Sequence, residues 1–243
     1  MKAAIMVSWD ESPHLPEEEK ATILAGIPPW QRDSRTKGVP QLGAGAIYQV
    51  PEADLLVTPF PIPPHWPRSY GMDVGWNRTA CVWTAIDRDT DTVYQYDEYY
   101  RGQAEPSVHA EAIKRRGAWI PGAIDPASHG RAQKDGEQLF ELYTRLGLKI
   151  DNAVNAREAG IYSVWERMSQ GSYKIFRSCQ NTMAEYRLYR RNERGEIIKA
   201  NDHLMDAMRY NVMSGLSRAK VEPKNRPNGE PWYHYAPLPF WSG

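Results

Sequence analysis

Three aspartates stand at positions from which a folded chain could present them together as metal ligands. Asp73 lies at the end of the strand-like segment 69–74, and Asp125 ends the strand-like segment 118–125 just before Pro126. Proline stops strand pairing, so the carboxylate of Asp125 is expected at a strand terminus. Carboxylates that end strands of one sheet can meet at the same edge, where ligand sites of α/β folds lie. Taken singly, each is also explained as a turn or capping residue; the pairing favours a ligand role.

The third acid, Asp206, falls inside a helix predicted over residues 202–218. Asp202 is well placed as the N-cap of that helix, whereas Asp206 is too far inside it to act as a cap. His203 is explained more readily by a structural hydrogen bond than by a ligand role. An apolar stripe on the helix, almost opposite Asp206, is predicted to face the core, and it consists of Leu204, Met208, Val212 and Leu216.

Carboxylates from two strands and one helix form a hard oxygen site, which suits Mg²⁺ or Mn²⁺ better than zinc. Two such ions about 3.5–4 Å apart can activate water and stabilise the leaving oxygen in phosphodiester cleavage. The predicted ligands, which are also the predicted catalytic residues, are Asp73, Asp125 and Asp206. Asp202 and His203 are secondary candidates, as outer ligands or water-positioning groups.

Basic residues with interleaved tyrosines occupy segment 186–199, just before the third acid. Arginine and tyrosine side chains can hold phosphates, so this segment is a candidate DNA-binding surface. A solvated helix and turn is the alternative interpretation. The predicted DNA-binding residues are Arg187, Arg190, Arg191, Arg194 and Lys199.

The composition is that of a globular protein with no bulk charge bias. The chain has 243 residues, of which 41% are hydrophobic and 25% charged, with a formal net charge of +0. That balance argues against a nucleic-acid binder held by overall charge, although it permits a local basic surface. The two cysteines form no metal or disulfide motif, and neither a membrane span nor a signal peptide is apparent. We therefore expect a soluble cytoplasmic protein.

Strands in a meander, followed by strands alternating with helices, predict a mixed α/β sheet with helices on both faces. The predicted strands cover 69–74, 79–87, 92–100, 118–125, 148–154 and 173–177, and the predicted helices cover 16–25, 105–116, 132–146, 156–169, 180–191 and 202–218. Segment 59–67 holds five prolines and is predicted to be a linker. The predicted divisions are a connector over 1–67, a catalytic domain over 68–219 and an irregular tail over 220–243.

Together these residues resemble the large terminase of tailed bacteriophages. The resemblance covers roughly residues 5–218, and its most distinctive part is the segment 202–210 (DHLMDAMRY). It also includes Gly71-Met72-Asp73-Val74-Gly75, Ala123-Ile124-Asp125-Pro126 and the lead-in segments Trp9–Leu15, Gly26–Pro29 with Arg32 and Arg35, and Gly43–Tyr48.

The resemblance implies an RNase H-like nuclease domain that cuts concatemeric double-stranded viral DNA into genome lengths during headful packaging, with divalent metal. It implies as partners a terminase ATPase domain, the small terminase subunit and the portal of the procapsid, in the host cytoplasm and transiently at the portal. Because no Gly-x-x-x-x-Gly-Lys-Ser/Thr phosphate loop occurs in the chain, the expectation is a C-terminal piece without the packaging motor, with residues 1–67 as the connector.

Other functions remain open at this stage. The Asp-x-Gly motif followed by a hairpin also occurs in actin-like phosphotransferases, although those need a second half with a nucleotide loop. A non-catalytic docking module of the packaging motor would carry the same acids incidentally. Other RNase H-like enzymes, such as transposases or junction resolvases, are disfavoured by the N-terminal connector and by the Asp-His-Leu-Met-Asp helix.

Overall fold

The computed structural model describes residues 16–26, 45–129, 139–192 and 194–223. Its helices are α1 (Glu17–Gly26), α2 (Glu52–Leu55), α3 (Pro106–Lys114), α4 (Leu139–Arg145), α5 (Arg157–Ser169), α6 (Gln180–Leu188) and α7 (His203–Tyr210). Its strands are β1 (Leu56–Val57), β2 (Arg68–Asp73), β3 (Thr79–Asp87), β4 (Thr92–Arg101), β5 (Gly122–Ile124), β6 (Ile150–Asn152) and β7 (Tyr173–Phe176).

The strands form one mixed seven-stranded sheet in the order β1-β7-β4-β3-β2-β5-β6. The β2–β3–β4 meander pairs antiparallel, as the short connections between these strands dictate. On either side of the meander the pairs are parallel, β7 beside β4 and β5 beside β2. The predicted mixed sheet is therefore confirmed.

Helices cover both faces of the sheet, each over its own hydrophobic core. One core joins β3 and β7 to α5, α6 and α7, and it includes Val82, Val164, Met183 and Leu204. The other joins β2, β3 and β5 to α3 and α4, and it includes Met72, Trp83 and Tyr143. Strand β3 is buried along most of its length because it supplies side chains to both cores.

The last helix departs from its sequence-based prediction. Residues 202–218 were expected to form one helix, but α7 ends at Tyr210 and continues as a π-helical turn (Asn211–Gly215) and a short 3₁₀ turn (Leu216–Arg218). Within the π turn, the side chain of Asn211 hydrogen-bonds to both Ser69 and Thr84 of the sheet. These buried polar contacts hold the chain against β2 and β3 where the helix widens.

The proline-rich segment 59–67 packs on the sheet, contrary to its predicted role as a linker. Phe60 contacts Tyr94 and Phe176, and Trp66 stacks on Tyr94. The prolines exclude helix and ladder pairing, as expected, but the aromatic residues between them are half-buried against β4 and β7. Pattern analysis also missed α2 and β1, which are too short to show a period.

The predicted helix 132–146 is present from Leu139, since residues 130–138 lie outside the described part. Of the predicted tail, only residues 220–223 are described, and there Lys220 pairs with Arg68 through two backbone hydrogen bonds. Among the described residues, no helix has both the length and the apolar character needed to cross a bilayer.

Candidate functional site

Asp73 and Asp125 leave neighbouring parallel strands at the same edge of the sheet. Met72 of β2 pairs with Ile124 of β5, so the next residue on each strand is one of the two aspartates. The backbone N–H of Asp125 also donates to the carbonyl of Met72, at 2.9 Å. Both carboxylates are buried. This juxtaposition is the one that the strand pattern predicted.

Asp206 reaches the same corner because α7 lies unusually close to β2. A Cβ atom on Gly71 would stand 1.9 Å from the carbonyl oxygen of Ala207, the residue after Asp206. Only glycine permits that approach between strand and helix backbones. Asp206 is thereby buried beside the strand that ends in Asp73.

The electrostatics of Asp73 indicate that the three acids form one cluster. Its pKa is raised from 3.8 to about 6, chiefly by burial. The hydrogen bond from His203 opposes that rise, whereas the negative charges of Asp206 and Asp125 add to it. Like charges shift a pKa in this way only over short distances. The structure therefore brings together all three predicted metal ligands.

Each carboxylate of the cluster is held by other groups of the protein. Nδ1 of His203 lies 2.8 Å from Oδ2 of Asp73, and this hydrogen bond is the main reason that the pKa of His203 is raised. The hydroxyl of Tyr210 and the backbone N–H of Ala127 both donate to Oδ1 of Asp125, each at 3.0 Å. These contacts orient the two strand-terminal carboxylates.

Two arginines hold the third carboxylate. Arg157 donates through Nη2 to Oδ2 of Asp206 at 3.0 Å, and Arg209 donates through Nε and Nη2 to Oδ1 at 3.2 and 3.1 Å. Arg209 is 1% exposed, whereas about a third of the Arg157 side chain is exposed. Within the part of the chain that the structure describes, no group of three Asp, Glu, His or Cys side chains is arranged to hold a metal ion. The contacts described above occupy both oxygens of Asp206, Oδ2 of Asp73 and Oδ1 of Asp125.

The donor set nevertheless fits a divalent metal. Three buried carboxylates lie at one corner, and the negative charges of Asp206 and Asp125 add to the rise that burial causes in the pKa of Asp73. Hard oxygen donors of this kind match the preference of Mg²⁺ and Mn²⁺.

The prediction that the side chain of Asp202 caps α7 is wrong. Asp202 occupies the N-cap position of α7, but its side chain makes no capping hydrogen bond. The carboxylate of Glu185, from α6, accepts instead from the backbone N–H of Leu204 at 2.6 Å. Burial, followed by the charge of Asp206, raises the pKa of Asp202. Asp202 therefore lies next to the three acids, and His203 contacts one of them, Asp73, directly.

The sequence did not reveal the roles of Arg157 and Glu185. Arg157 lies 49 positions before Asp206, and Glu185 lies 19 positions before Leu204. No local pattern links residues at those separations. Arg209 was visible as the residue three positions after Asp206, but its burial was not.

The predicted basic segment has two kinds of arginine. Arg187 forms a two-bond ion pair with Glu52, and Arg191 forms one with Glu158. The backbone N–H of Gly195 donates to the carbonyl of Asn192 at 2.9 Å. Arg190, Arg194 and Lys199 are exposed, and Arg187 is exposed as well although it is paired with Glu52. Glu158 adjoins Arg157 in α5, so the segment borders the acid cluster.

Comparison with known proteins identifies relatives of this chain. The family model described as "Terminase RNaseH-like domain" matches residues 70–214. A curated terminase large subunit from Enterobacteria phage LP7 is 32% identical over 223 residues, covering 88% of this chain and 47% of that protein. The chain thus spans about half the length of the curated relatives that it matches.

Solved structures of terminase nuclease domains are also similar to this chain. The nuclease domain of the phage P22 large terminase superposes with a TM-score of 0.67 at 32% identity, covering 74% of this chain and 97% of that one. The large terminase nuclease domain of bacteriophage SPP1, with bound Mn, shares the fold at a TM-score of 0.52 and 15% identity, over 70% of this chain and 98% of that one.

Proposed function

The chain belongs to the family of terminase RNase H-like domains, and we propose that it cuts concatemeric double-stranded viral DNA during genome packaging. The observation that carries this proposal is the buried corner where the charges of Asp125 and Asp206 both act on Asp73. A protein that used this surface only for docking would have no need of three carboxylates crowded at one strand edge.

In this proposal Asp73, Asp125 and Asp206 hold divalent metal, Mg²⁺ or Mn²⁺, as a pair of ions. The bound metal supplies an acidified water and stabilises negative charge on the phosphodiester. The proposal draws support from the relative solved with bound Mn and from the donor set itself.

The remaining side chains of the site orient and compensate the acids. His203 and Tyr210 fix the carboxylates of Asp73 and Asp125 through the hydrogen bonds described above, as partners of metal ligands commonly do. Arg209 offsets the charge of Asp206 inside the protein. Arg157, which is partly exposed, is placed to meet a DNA phosphate that approaches the acids. Asp202 is proposed as an outer ligand or water-positioning group.

The proposed setting follows from the family. Duplex DNA is the substrate, held by Arg190, Arg194 and Lys199, with Arg187 and Arg191 fixing the segment through their ion pairs. The partners are the packaging ATPase domain, the small terminase subunit and the portal, in the host cytoplasm and transiently at the procapsid. Residues 1–67 are proposed as the connector to the ATPase domain.

A plasmid-nicking assay tests the catalytic assignment. Asp73→Asn, Asp125→Asn and Asp206→Asn should each abolish Mn²⁺- or Mg²⁺-dependent cleavage, because each removes a metal ligand. Asp202→Asn and His203→Ala should slow it by about 10-fold, the scale for groups that orient ligands. The exposed Asp89, in the β3–β4 turn, serves as control, and Asp89→Asn should cut at the wild-type rate.

The outcomes separate the candidate functions. Wild-type cleavage by any of the three ligand variants removes that residue from the site. If the wild type binds duplex DNA but never cuts it with either metal, the protein is a docking module. Calorimetric binding of a nucleotide by the wild type would instead favour the actin-like phosphotransferase.

A further inference from the structure

An exposed tryptophan follows the first acid of the site by three residues. The side chain of Trp76 is 60% exposed, in the turn between β2 and β3 that begins directly after Asp73. Large apolar side chains in such a position cost free energy in water unless a ligand covers them. A single exposed aromatic residue is common on protein surfaces, so the surroundings of Trp76 decide its meaning.

The turn that carries Trp76 is braced by the backbone. The N–H of Gln103 donates to the carbonyl of Trp76 at 2.8 Å, and Oγ1 of Thr79 donates to the carbonyl of Gly75 at 3.2 Å. The backbone of Gly102 approaches so closely that a Cβ there would lie 2.0 Å from the carbonyl oxygen of Asn77. The backbone of Trp76 is therefore held in place before any ligand binds. Binding a ligand through this side chain costs little backbone entropy.

Arg78, at the end of the same turn, is fixed on an aromatic ring beside the acids. Its guanidinium lies 4.3 Å from the ring centroid of Tyr100. Tyr100 pairs with Ala80, and Ala80 pairs with Asp73, so the three side chains lie in one row on the same face of the sheet. Tyr100 and Asp73 are two strands apart, about 10 Å at the usual strand spacing.

Among the described residues no carboxylate forms a salt bridge with Arg78, whereas Arg187 and Arg191 of the basic segment are both paired with glutamates. Arg101, at the end of β4, adds a second exposed positive charge to this edge. An exposed aromatic residue beside an arginine can contact the sugars and phosphates of a duplex.

We propose that Trp76 and Arg78 form a DNA-contacting corner next to the acid cluster, and this proposal rests on the proposed nuclease function. Arg78 binds a backbone phosphate near the scissile one, since each strand of a duplex carries one charge per about 3.4 Å of axis and Arg78 stacks on Tyr100, which is two strands, about 10 Å, from Asp73. Trp76 packs against sugar and base edges in the adjoining groove. The corner positions the strand over the acids and leaves the chemical step to them.

The binding test uses the whole chain, a fluorescent 30-base-pair duplex and a chelator, so that no cutting is needed. Arg78→Ala should weaken binding about fivefold or more and reduce the slope of log K against log salt by about 1, the signature of one lost phosphate contact. Trp76→Ala should weaken binding about fivefold, the scale of a lost apolar contact, with the slope unchanged because the side chain is uncharged. Trp76→Phe should keep most of the affinity.

Matched controls lie elsewhere on the surface. Tyr162, on α5, is 58% exposed, and Arg88 is exposed at the opposite end of the β3–β4 hairpin, about 30 Å along it. Tyr162→Ala and Arg88→Ala should bind as the wild type does, and circular dichroism should show all variants folded.

Wild-type affinity and slope in both Trp76→Ala and Arg78→Ala would overturn the proposal, as would a wild type that binds no duplex at low salt. A parallel plasmid assay with Mn²⁺ distinguishes failure of the nuclease function. If binding depends on Trp76 and Arg78 but the wild type never cuts, the corner stands and the nuclease assignment fails. If the wild type cuts, the two variants should raise KM and leave kcat near the wild-type value.

Discussion

Each aspartate of the cluster is stabilised by a different kind of neighbour, and Asp73 has the least compensation. Asp206 has two guanidinium groups, and Asp125 has a phenol and a backbone N–H. Asp73 has the imidazole of His203, which does not offset burial and the nearby negative charges. The pKa of Asp73 is accordingly raised to about 6. At neutral pH the ionised carboxylate of Asp73 therefore lowers the free energy of unfolding of the metal-free protein.

The stability of the metal-free protein should therefore depend on pH through Asp73 and His203. Because the folded pKa of Asp73 is raised from 3.8 to about 6, its contribution to stability is complete below about pH 4 and is lost as the pH rises through about 6. The pKa of His203 is raised from 6.5, so its contribution is complete below that pH and is lost as the pH rises through its higher folded pKa. Asp73→Asn removes the cost of ionisation, so in chelator it should be more stable than wild type at pH 8, by on the order of 3 kcal/mol, and much less so at pH 4.5. Thermal melts in chelator measure the difference.

A melt with Mn²⁺ and a control variant make this prediction specific to the acid cluster. Mn²⁺ should raise the melting temperature of the wild type more than that of Asp73→Asn, because metal binds the folded site. Asp89→Asn should follow the wild type at both pH values. A variant Asp73→Asn that is equally destabilised at pH 4.5 and pH 8 would mean that the carboxylate is a purely structural group.

At the scale of elements, the site depends on how closely α7 and α5 approach their neighbours. Gly71 lets the backbone of α7 lie against β2, and Gly160 of α5 lets the aliphatic part of Arg209 lie against α5. A Cβ on Gly160 would stand 2.5 Å from Cγ of Arg209. The two glycines differ in what they face, since one meets a backbone carbonyl and the other a side chain that can shift.

Alanine substitutions at these glycines should therefore have graded effects. Gly71→Ala forces two backbones apart and should destabilise the protein by about 3 kcal/mol or more, at the upper end for overpacking. Gly160→Ala should cost less, about 1 kcal/mol, because Arg209 can move and alanine favours a helix by up to ~1 kcal/mol over glycine. Urea denaturation measures both. Equal losses would show that the packing of α7 on β2 is not the tighter contact.

At the scale of the whole molecule, the core includes residues on both sides of the boundary predicted at residue 67. Tyr48, Val50 and Leu55 are buried in the core that contains α5, α6 and α7. The hydroxyl of Tyr186 donates to the carbonyl of Val50 at 2.6 Å, and β1 pairs with β7 at the edge of the sheet. The segment from residue 46 onward therefore packs as part of the same folded unit.

Truncation distinguishes the two possible boundaries. A chain that begins at Gly45 keeps these contacts and should melt cooperatively near the temperature of the full chain. A chain that begins at Arg68 loses the three buried side chains and should be destabilised by several kcal/mol, since each large apolar residue contributes about 1.5–3 kcal/mol by burial. Calorimetry of both chains decides. A cooperative, unshifted melt of the shorter chain would place the boundary at residue 67.

Local pattern was sufficient for the longer strands and helices and for the positions of the three acids within them. Strand periodicity placed Asp73 and Asp125 at the ends of their strands, because alternation and proline act over a few residues. The apolar stripe predicted that Asp206 lies inside a helix. The resemblance of segment 202–210 to large terminases indicated that the three acids belong to one site. Strands that end at one edge are a consequence of parallel pairing, so the convergence of the first two acids could be argued without coordinates.

Only the tertiary structure decided what holds those acids and how the surface around them is charged. Arg157, Glu185 and Tyr100 come from elements distant in sequence, and their contacts depend on the strand order and on the approach permitted at Gly71. The pairing of Arg187 and Arg191 with glutamates, and the unpaired charge of Arg78 within the described part of the chain, are equally long-range results. Such contacts are set by packing between elements, and the local periods of a sequence carry no information about them.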